Sequence, residues 1–432
     1  MNGEPRYEEL AHTFGETEFD PEHTSEHERL RVVASHILDC FHWQPTKEDF
    51  LFITDTKVRK ENPLMIRALE YVLKEREEKA RTEEGVSASH KTMIIEASPT
   101  SATPFGKEIG DAMRDRPVLI CTSMSRSHAQ ETAAARRGDV RYTQEQMQQL
   151  VSLVMPERLN EEGRIPEDMW ERLKVLAKER RSRIISITKG HNPFEILTKG
   201  AVEESVEALQ ERADNVDALM RDVRRVHVTT ALGTDLWLPL RPDLSEIEDG
   251  RVDVPGKISN YPIGEWSCSP DWRGANGVLV VDGPCGGNIN QHILDRGEPI
   301  RLSIKNGEVV EMHGGGEAGE LLRAYLDGGN NEQNHAYKLA EFAVGINTKA
   351  LQAKPREYWG SSEGEKKYGT CHIAVGSNGV FGRTPDDPNF NAAQVHCDMV
   401  LGLNPGGEVT IQCERNDGST FTLIAHGVPI GY

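Results

Sequence analysis

The feature that most constrains this chain is a change of texture near residue 223. Before it, short continuous apolar runs alternate with amphipathic helical stretches. The runs are Phe50-Leu51-Phe52-Ile53, Thr92-Met93-Ile94-Ile95, Val118-Leu119-Ile120-Cys121 and Ile184-Ile185-Ser186-Ile187. Helical spacing marks Arg29 to Cys40, Pro63 to Ala80 and Pro193 to Asp214, and Ser127 to Arg136 reads as a helix start. Strands that are apolar throughout must be buried on both faces, which a parallel sheet covered by helices provides. The expectation is an α/β domain over residues 29–224, preceded by a polar, acidic arm over 1–28.

From about residue 225 to 432 glycine and asparagine are dense, and strand-length stretches follow quickly: 226–230, 236–240, 277–282, 300–305, 308–313, 372–375, 409–413 and 421–425. Two helices are expected, Glu317 to Leu326 and His335 to Val344. This half reads as α+β, rich in antiparallel strands. The predicted fold is therefore two-domain, with an α/β N-terminal domain on a mostly parallel sheet and an α+β C-terminal domain that binds metal.

Composition narrows the partners. The 432 residues carry 50 basic and 69 acidic side chains, a net charge of −19, which disfavours nucleic acid and anionic membranes because phosphate contacts need clustered Lys and Arg. No apolar run approaches the roughly 18 residues of a membrane span, and the first 30 residues lack the basic start and apolar stretch of a secretory signal. Seven scattered cysteines without a CxxC pair fit a reduced, cytoplasmic protein whose thiols are small buried apolar groups. The expected partner is a small-molecule substrate.

Four short segments in the second half could carry chemistry. In a strand, His396 and Asp398 of the triplet His396-Cys397-Asp398 share a face, offering an imidazole and a carboxylate to one metal ion. Taken alone, such a triplet is more often a histidine satisfied by its neighbour. His372 opens a short apolar run before a Gly/Asn-rich turn. Glu341 lies between Ala340 and Phe342, and a buried carboxylate there demands a partner or a metal. Glu265 follows Gly264 where a loop meets a strand. Together these oxygen and nitrogen donors suit Zn²⁺, Mn²⁺, Co²⁺ or Fe²⁺, one or two per chain, and the two-metal sites that activate water. The glycine-rich stretches 283–288 and 313–317 lack the spacing of a nucleotide loop.

Gly233-Thr234-Asp235, GKISNYPIGE (256–265), ANGVLVVD (275–282), LAEFAVGIN (339–347), GTCHIAVG (369–376) and His396-Cys397-Asp398, with Asn62-Pro63-Leu64 and Ser125-Arg126-Ser127-His128 in the first half, carry a family resemblance. The chain resembles the metallo-aminopeptidases of the aminopeptidase T and aminopeptidase S type, often labelled leucyl aminopeptidase. That resemblance implies a metal centre lined by Glu265, Glu341, His372, His396 and Asp398, a metalloprotease-like hydrolase, and a homodimer or larger homo-oligomer. Two positions depart from the family. Lys367 stands where the peptidases carry a glutamate, and Gly379 where they carry a tyrosine. Glu365, two residues before Lys367, is the candidate proton acceptor.

The 2,5-dihydroxypyridine ring-cleaving dioxygenases look like distant relatives, with one Fe²⁺ held by an H-x-D pair and a histidine that falls at Glu341 here. The resulting expectation is metal-dependent hydrolysis of an amide or related bond in a small substrate. The alternative is a mononuclear non-haem Fe(II) dioxygenase that opens a hydroxylated aromatic or pyridine ring.

Overall fold

Continuous apolar runs in the first half become the parallel sheet that their burial requires. The computed structural model describes residues 19–43, 48–85, 89–95, 107–121, 177–187, 199–286, 298–328, 336–352, 361–383, 385–391, 393 and 395–432. The Ser127-His128 segment and residues 1–18 of the polar arm lie outside the described residues. The described residues form two compact units, one holding those up to 206 together with 250–263, the other holding those of 207–249 and 264–432.

In the first unit, strands β1 (Phe50–Asp55), β2 (His90–Ile95), β3 (Pro117–Cys121), β4 (Arg183–Ser186) and β7 (Ile258–Asn260) form one sheet in the order β2-β1-β3-β4-β7, every pair parallel. Both faces are covered, as the sequence demands. Leu51 and Ile53 pack with Met93, Ile109, Met113, Val118, Ile120 and Ile184, while Phe50 meets Phe41 and Trp43, with ring centroids 5.0 Å apart in each pair. At the end of β1, Asp55 accepts from Val58 N at 2.7 Å and starts the helix Thr56–Glu61. The helix Ser25–Asp39 begins inside the stretch read as polar arm, and the helix Pro63–Glu84 ends at Gly85, whose φ of 68° is left-handed. Instead of Pro193 to Asp214, the described helix there is Val206–Met220. β7 was not anticipated. Its three residues sit within GKISNYPIGE and join the parallel sheet, not the antiparallel one.

The second unit is built on a 12-stranded antiparallel sheet: β5 (Val223–Thr229), β6 (Asp235–Glu248), β8 (Glu265–Pro270), β9 (Asn276–Val281), β10 (Ile300–Lys305), β11 (Glu308–Gly314), β12 (Leu339–Gly345), β13 (Cys371–Gly376), β14 (His396–Leu401), β15 (Thr410–Arg415), β16 (Thr420–Ala425) and β17 (Val428–Pro429). The main path runs β14-β13-β12-β8-β6-β5-β15-β16-β17, and β9, with β10 and β11 beyond it, branches from β6. The helix Gly316–Gly328 matches the expected one.

One expectation is corrected. Residues 335–344 were read as a helix, but Leu339–Gly345 is strand β12, buried at all seven positions. An uninterrupted apolar run has no periodicity that separates a central strand from a buried helix, and pairing on both edges decides for the strand. All seven cysteines are buried thiols outside any disulfide. Among the described residues, no helix is long and apolar enough to cross a membrane.

Candidate metal centre

Four adjacent strands, β14-β13-β12-β8, bring the five expected ligands to one face. Glu341 of β12 and Asp398 of β14 are both in register with Ala374 of β13, Ala343 with His372, Gly376 with His396, and Gly345 with Glu265. Side chains alternate along a strand, so Glu341, His372, His396, Asp398 and Glu265 point to the same side. Cys371 and Cys397 point to the other, which removes the thiols from the ligand set. The motifs Glu341-x-Ala343-x-Gly345 and His372-x-Ala374-x-Gly376 thus set one ionisable group beside two small residues on one face. The small residues leave the space that carboxylates and imidazoles fill.

The polar atoms converge. His396 Nε2 lies 2.9 Å from Glu341 Oε2 and 3.0 Å from Asp398 Oδ1. His372 Nε2 lies 3.3 Å from Glu341 Oε1 and 3.9 Å from both Asp398 Oδ1 and Glu265 Oε2. Two donor groups result, Glu341/His396/Asp398 and Glu265/Glu341/His372, each with its ligand atoms within 4.8 Å of one another. They share Glu341. The first is the open one, since the side chains of His396 and Asp398 are 27% and 17% exposed against 1% for His372.

The electrostatics call for a cation. Burial pushes the Glu341 carboxyl up, yet hydrogen bonds from His372 and His396 outweigh it and hold the value near 2. Burial pushes His372 down, but the bond to Glu341 and the charges of Glu265, Glu341 and Asp398 lift it to about 9. For His396, too, burial lowers the pKa while Asp398 and Glu341 carry it well above the ordinary value. Protons on these rings occupy the place that a divalent ion takes by displacing them.

His396 is also oriented as a ligand. Its Nδ1 donates to Ser377 O at 2.7 Å, which leaves Nε2 facing Glu341 and Asp398, as a donor while protonated and as a ligand once a metal ion displaces that proton. His372 Nδ1 is buried without a hydrogen-bond partner among the described residues. The donor set fits a borderline divalent ion such as Fe²⁺ or Zn²⁺.

Glu365, expected to accept a proton, is buried and stands 3.8 Å from Lys366 Nζ, outside both donor groups. Lys366 itself was not anticipated, and neither was Glu248. Lys366 is 2% exposed and donates to Glu248 Oε2 at 2.7 Å and Glu265 Oε2 at 2.5 Å. Burial alone would lower its pKa, but Glu248, Glu265 and Glu365 raise it well above the ordinary value. Burial raises Glu265, and Lys366 opposes that. No signal in the sequence marks either residue; the structure puts Glu248 in register with Glu265, and two carboxylates side by side on neighbouring strands need a cation between them.

Comparison with known proteins bears on family and fold. A 2,5-dihydroxypyridine 5,6-dioxygenase of Pseudomonas putida is 31% identical over 143 residues, a match covering 33% of this chain and 37% of that relative's length. The solved structure of 2,5-dihydroxypyridine dioxygenase from Pseudomonas putida KT2440 superposes with a TM-score of 0.58 at 17% identity, over 95% of this chain and 99% of that one. Wild-type AmpT from Thermus thermophilus superposes with a TM-score of 0.52 at 14% identity, over 93% and 99%. These two likenesses establish a common fold. The family model NicX, 2,5-dihydroxypyridine 5,6-dioxygenase, matches residues 169–402, more than half of the sequence and all of the strands that supply the ligands, and the chain belongs to that family.

Proposed function

We propose that the protein is a mononuclear non-haem Fe(II) dioxygenase that opens a hydroxylated aromatic or pyridine ring. The observation that carries the reading is the convergence of Glu341, His396 and Asp398 on one point in a chain of the dioxygenase family. Bound there, a ferrous ion would supply the activation of O₂ and of an adjacent ring hydroxyl.

The chain's own residues hold and orient. Ser377 O fixes the His396 ring through Nδ1. Glu341 ties His396 to His372, so the two imidazoles keep their Nε2 atoms toward the same carboxylates. His372, 3.9 Å from Asp398, can complete a set of two histidines and a carboxylate with His396 and Asp398. The partly exposed His396–Asp398 side is where substrate can approach.

Hydrolysis, the first expectation from sequence, becomes the second reading. It is favoured by the donor group Glu265/Glu341/His372, which shares Glu341 with the first as a bridging carboxylate would. An oxygen electrode separates the two. The chain is stripped of metal, reloaded anaerobically with Fe²⁺, Zn²⁺, Mn²⁺ or Co²⁺, and given hydroxylated pyridines and benzenes, 2,5-dihydroxypyridine among them, or dipeptides. Oxygen uptake with loss of the ring's ultraviolet band, only with Fe²⁺, is the expected result. Oxygen-independent amide cleavage with Zn²⁺, Mn²⁺ or Co²⁺ would replace the dioxygenase by the hydrolase.

A further inference from the structure

We infer that Lys366 is a resident cation that fills the inner half of the acidic cluster and limits the centre to one metal ion. This rests on the reading of the site as a metal centre, not on the ring-opening reaction.

The two donor groups meeting at Glu341 have the composition of a dinuclear site, with Glu265 and His372 on the inner side. That side is already held. The Lys366 ammonium donates to Glu265 Oε2 at 2.5 Å and to Glu248 Oε2 at 2.7 Å, with Glu365 Oε2 at 3.8 Å. A divalent ion ligated by the same Glu265 oxygen would stand about 2.0–2.2 Å from it. Two buried cations would then crowd one carboxylate, and their repulsion in a low-dielectric setting disfavours the second. In the outer group the Glu341 and Asp398 carboxylates instead meet an imidazole, His396 Nε2, at 2.9 and 3.0 Å, and a proton on that ring can be displaced by a metal ion.

The position of Lys366 is built into the backbone. Asn347 N donates to Lys366 O at 2.8 Å, and Tyr368 N donates to Asn347 O at 2.9 Å. Residues 366 and 367 press against β12 so closely that a Cβ on Gly345 would stand 2.7 Å from Lys366 C and 2.1 Å from Lys367 O. The Gly345-Ile346-Asn347 segment therefore delivers the lysine to Glu265. Lys366 acts as a positioning residue: it selects metal number and holds Glu265 away from ligation.

Metal counting tests this without any turnover. Chelator-stripped full-length protein is titrated anaerobically with Mn²⁺, and bound ions are counted after gel filtration and read by electron paramagnetic resonance. The wild-type chain should take about one ion with an uncoupled Mn²⁺ spectrum. Lys366→Gln should take about two with a spin-coupled pair spectrum, and Lys366→Arg, which keeps the charge, about one. Two ions in the wild type, or a single ion in folded Lys366→Gln, would overturn the inference. If Lys366→Gln does not fold, the double variant Lys366→Gln/Glu248→Gln removes one charge of each sign and must still gain the second ion. A wild-type chain with one ion and no oxygen uptake would leave this inference standing while the ring-opening reading fell.

Discussion

Glu341 Oε2 and His396 Nε2 lie 2.9 Å apart although 55 positions separate them in sequence. The two never pair directly, because β13 runs between β12 and β14. What joins them is the small residue between: Ala374 is in register with Glu341 on one side and Asp398 on the other. A larger side chain at 374 would stand between the donors.

Removing a ligand from the open side should abolish metal binding and leave the fold. His396→Ala and Asp398→Ala affect side chains that are 27% and 17% exposed, so the loss of packing is small. Each should lower metal-dependent turnover by about 100-fold or more, with a thermal transition close to that of the parent chain. Full activity in either variant, with metal content intact, would remove the pair from the centre.

Glu341→Gln keeps the shape but discards the charge that both histidines and the metal use. Metal affinity should fall by about 10- to 100-fold, measured by anaerobic titration calorimetry. The proton displacement that accompanies binding should fall too, because the histidines lose the carboxylate that lifts them. Unchanged affinity would mean that Glu341 orients the histidines and ligates nothing.

Much of this was legible in the sequence, and the misses have physical reasons. All five residues of the acidic and imidazole cluster were visible as candidates because each stands in a motif whose neighbours are conspicuously apolar or small. The parallel sheet was visible because Phe50–Asp55 and its companions are apolar throughout, which only two-sided burial explains. Leu339–Gly345 was misread because the same uninterrupted apolarity suits a helix equally, and only its neighbours β8 and β13 decide. Residues 258–260 carry no sign of which sheet they join, since that depends on where β4 leaves an open edge. Lys366 was invisible for a different reason. Nothing within Glu363-Gly364-Glu365-Lys366-Lys367 tells which charge turns inward, and the answer comes from Glu248 and Glu265, which lie more than 100 positions away.

Stability should depend on pH through Asp282, which follows β9 and belongs to neither donor group. Its carboxylate accepts from Gly402 N at 3.1 Å and Asn404 N at 2.9 Å, but burial outweighs those bonds and lifts the pKa from 3.8 to about 6. Folding therefore favours the protonated acid. That contribution is complete below about pH 4 and is lost as pH rises through 6, for a total of roughly 2–3 kcal/mol. Urea unfolding of the wild type, compared with Asp282→Asn at pH 4, 5, 6 and 7, should show the variant lacking this fall. An identical pH slope in both would exclude Asp282 as its source.

Gly376 sets the spacing on which His396 depends. It has a φ of 109°, a region that side-chain-bearing residues rarely adopt, and a Cβ there would stand 2.0 Å from Val395 O and 3.3 Å from His396 Cα. Gly376 is also the register partner of His396, and the next residue, Ser377, supplies the carbonyl that orients the imidazole. Gly376→Ala must therefore push β14 away from β13 at the ligand itself. The expected cost is about 2 kcal/mol or more in unfolding free energy, with metal affinity falling further than in Gly418→Ala. Gly418 has a similar φ of 85° but nothing within 4 Å of its built Cβ, so it reports backbone strain alone. Equal losses of metal affinity in the two alanine variants would mean that the β13–β14 spacing does not position His396.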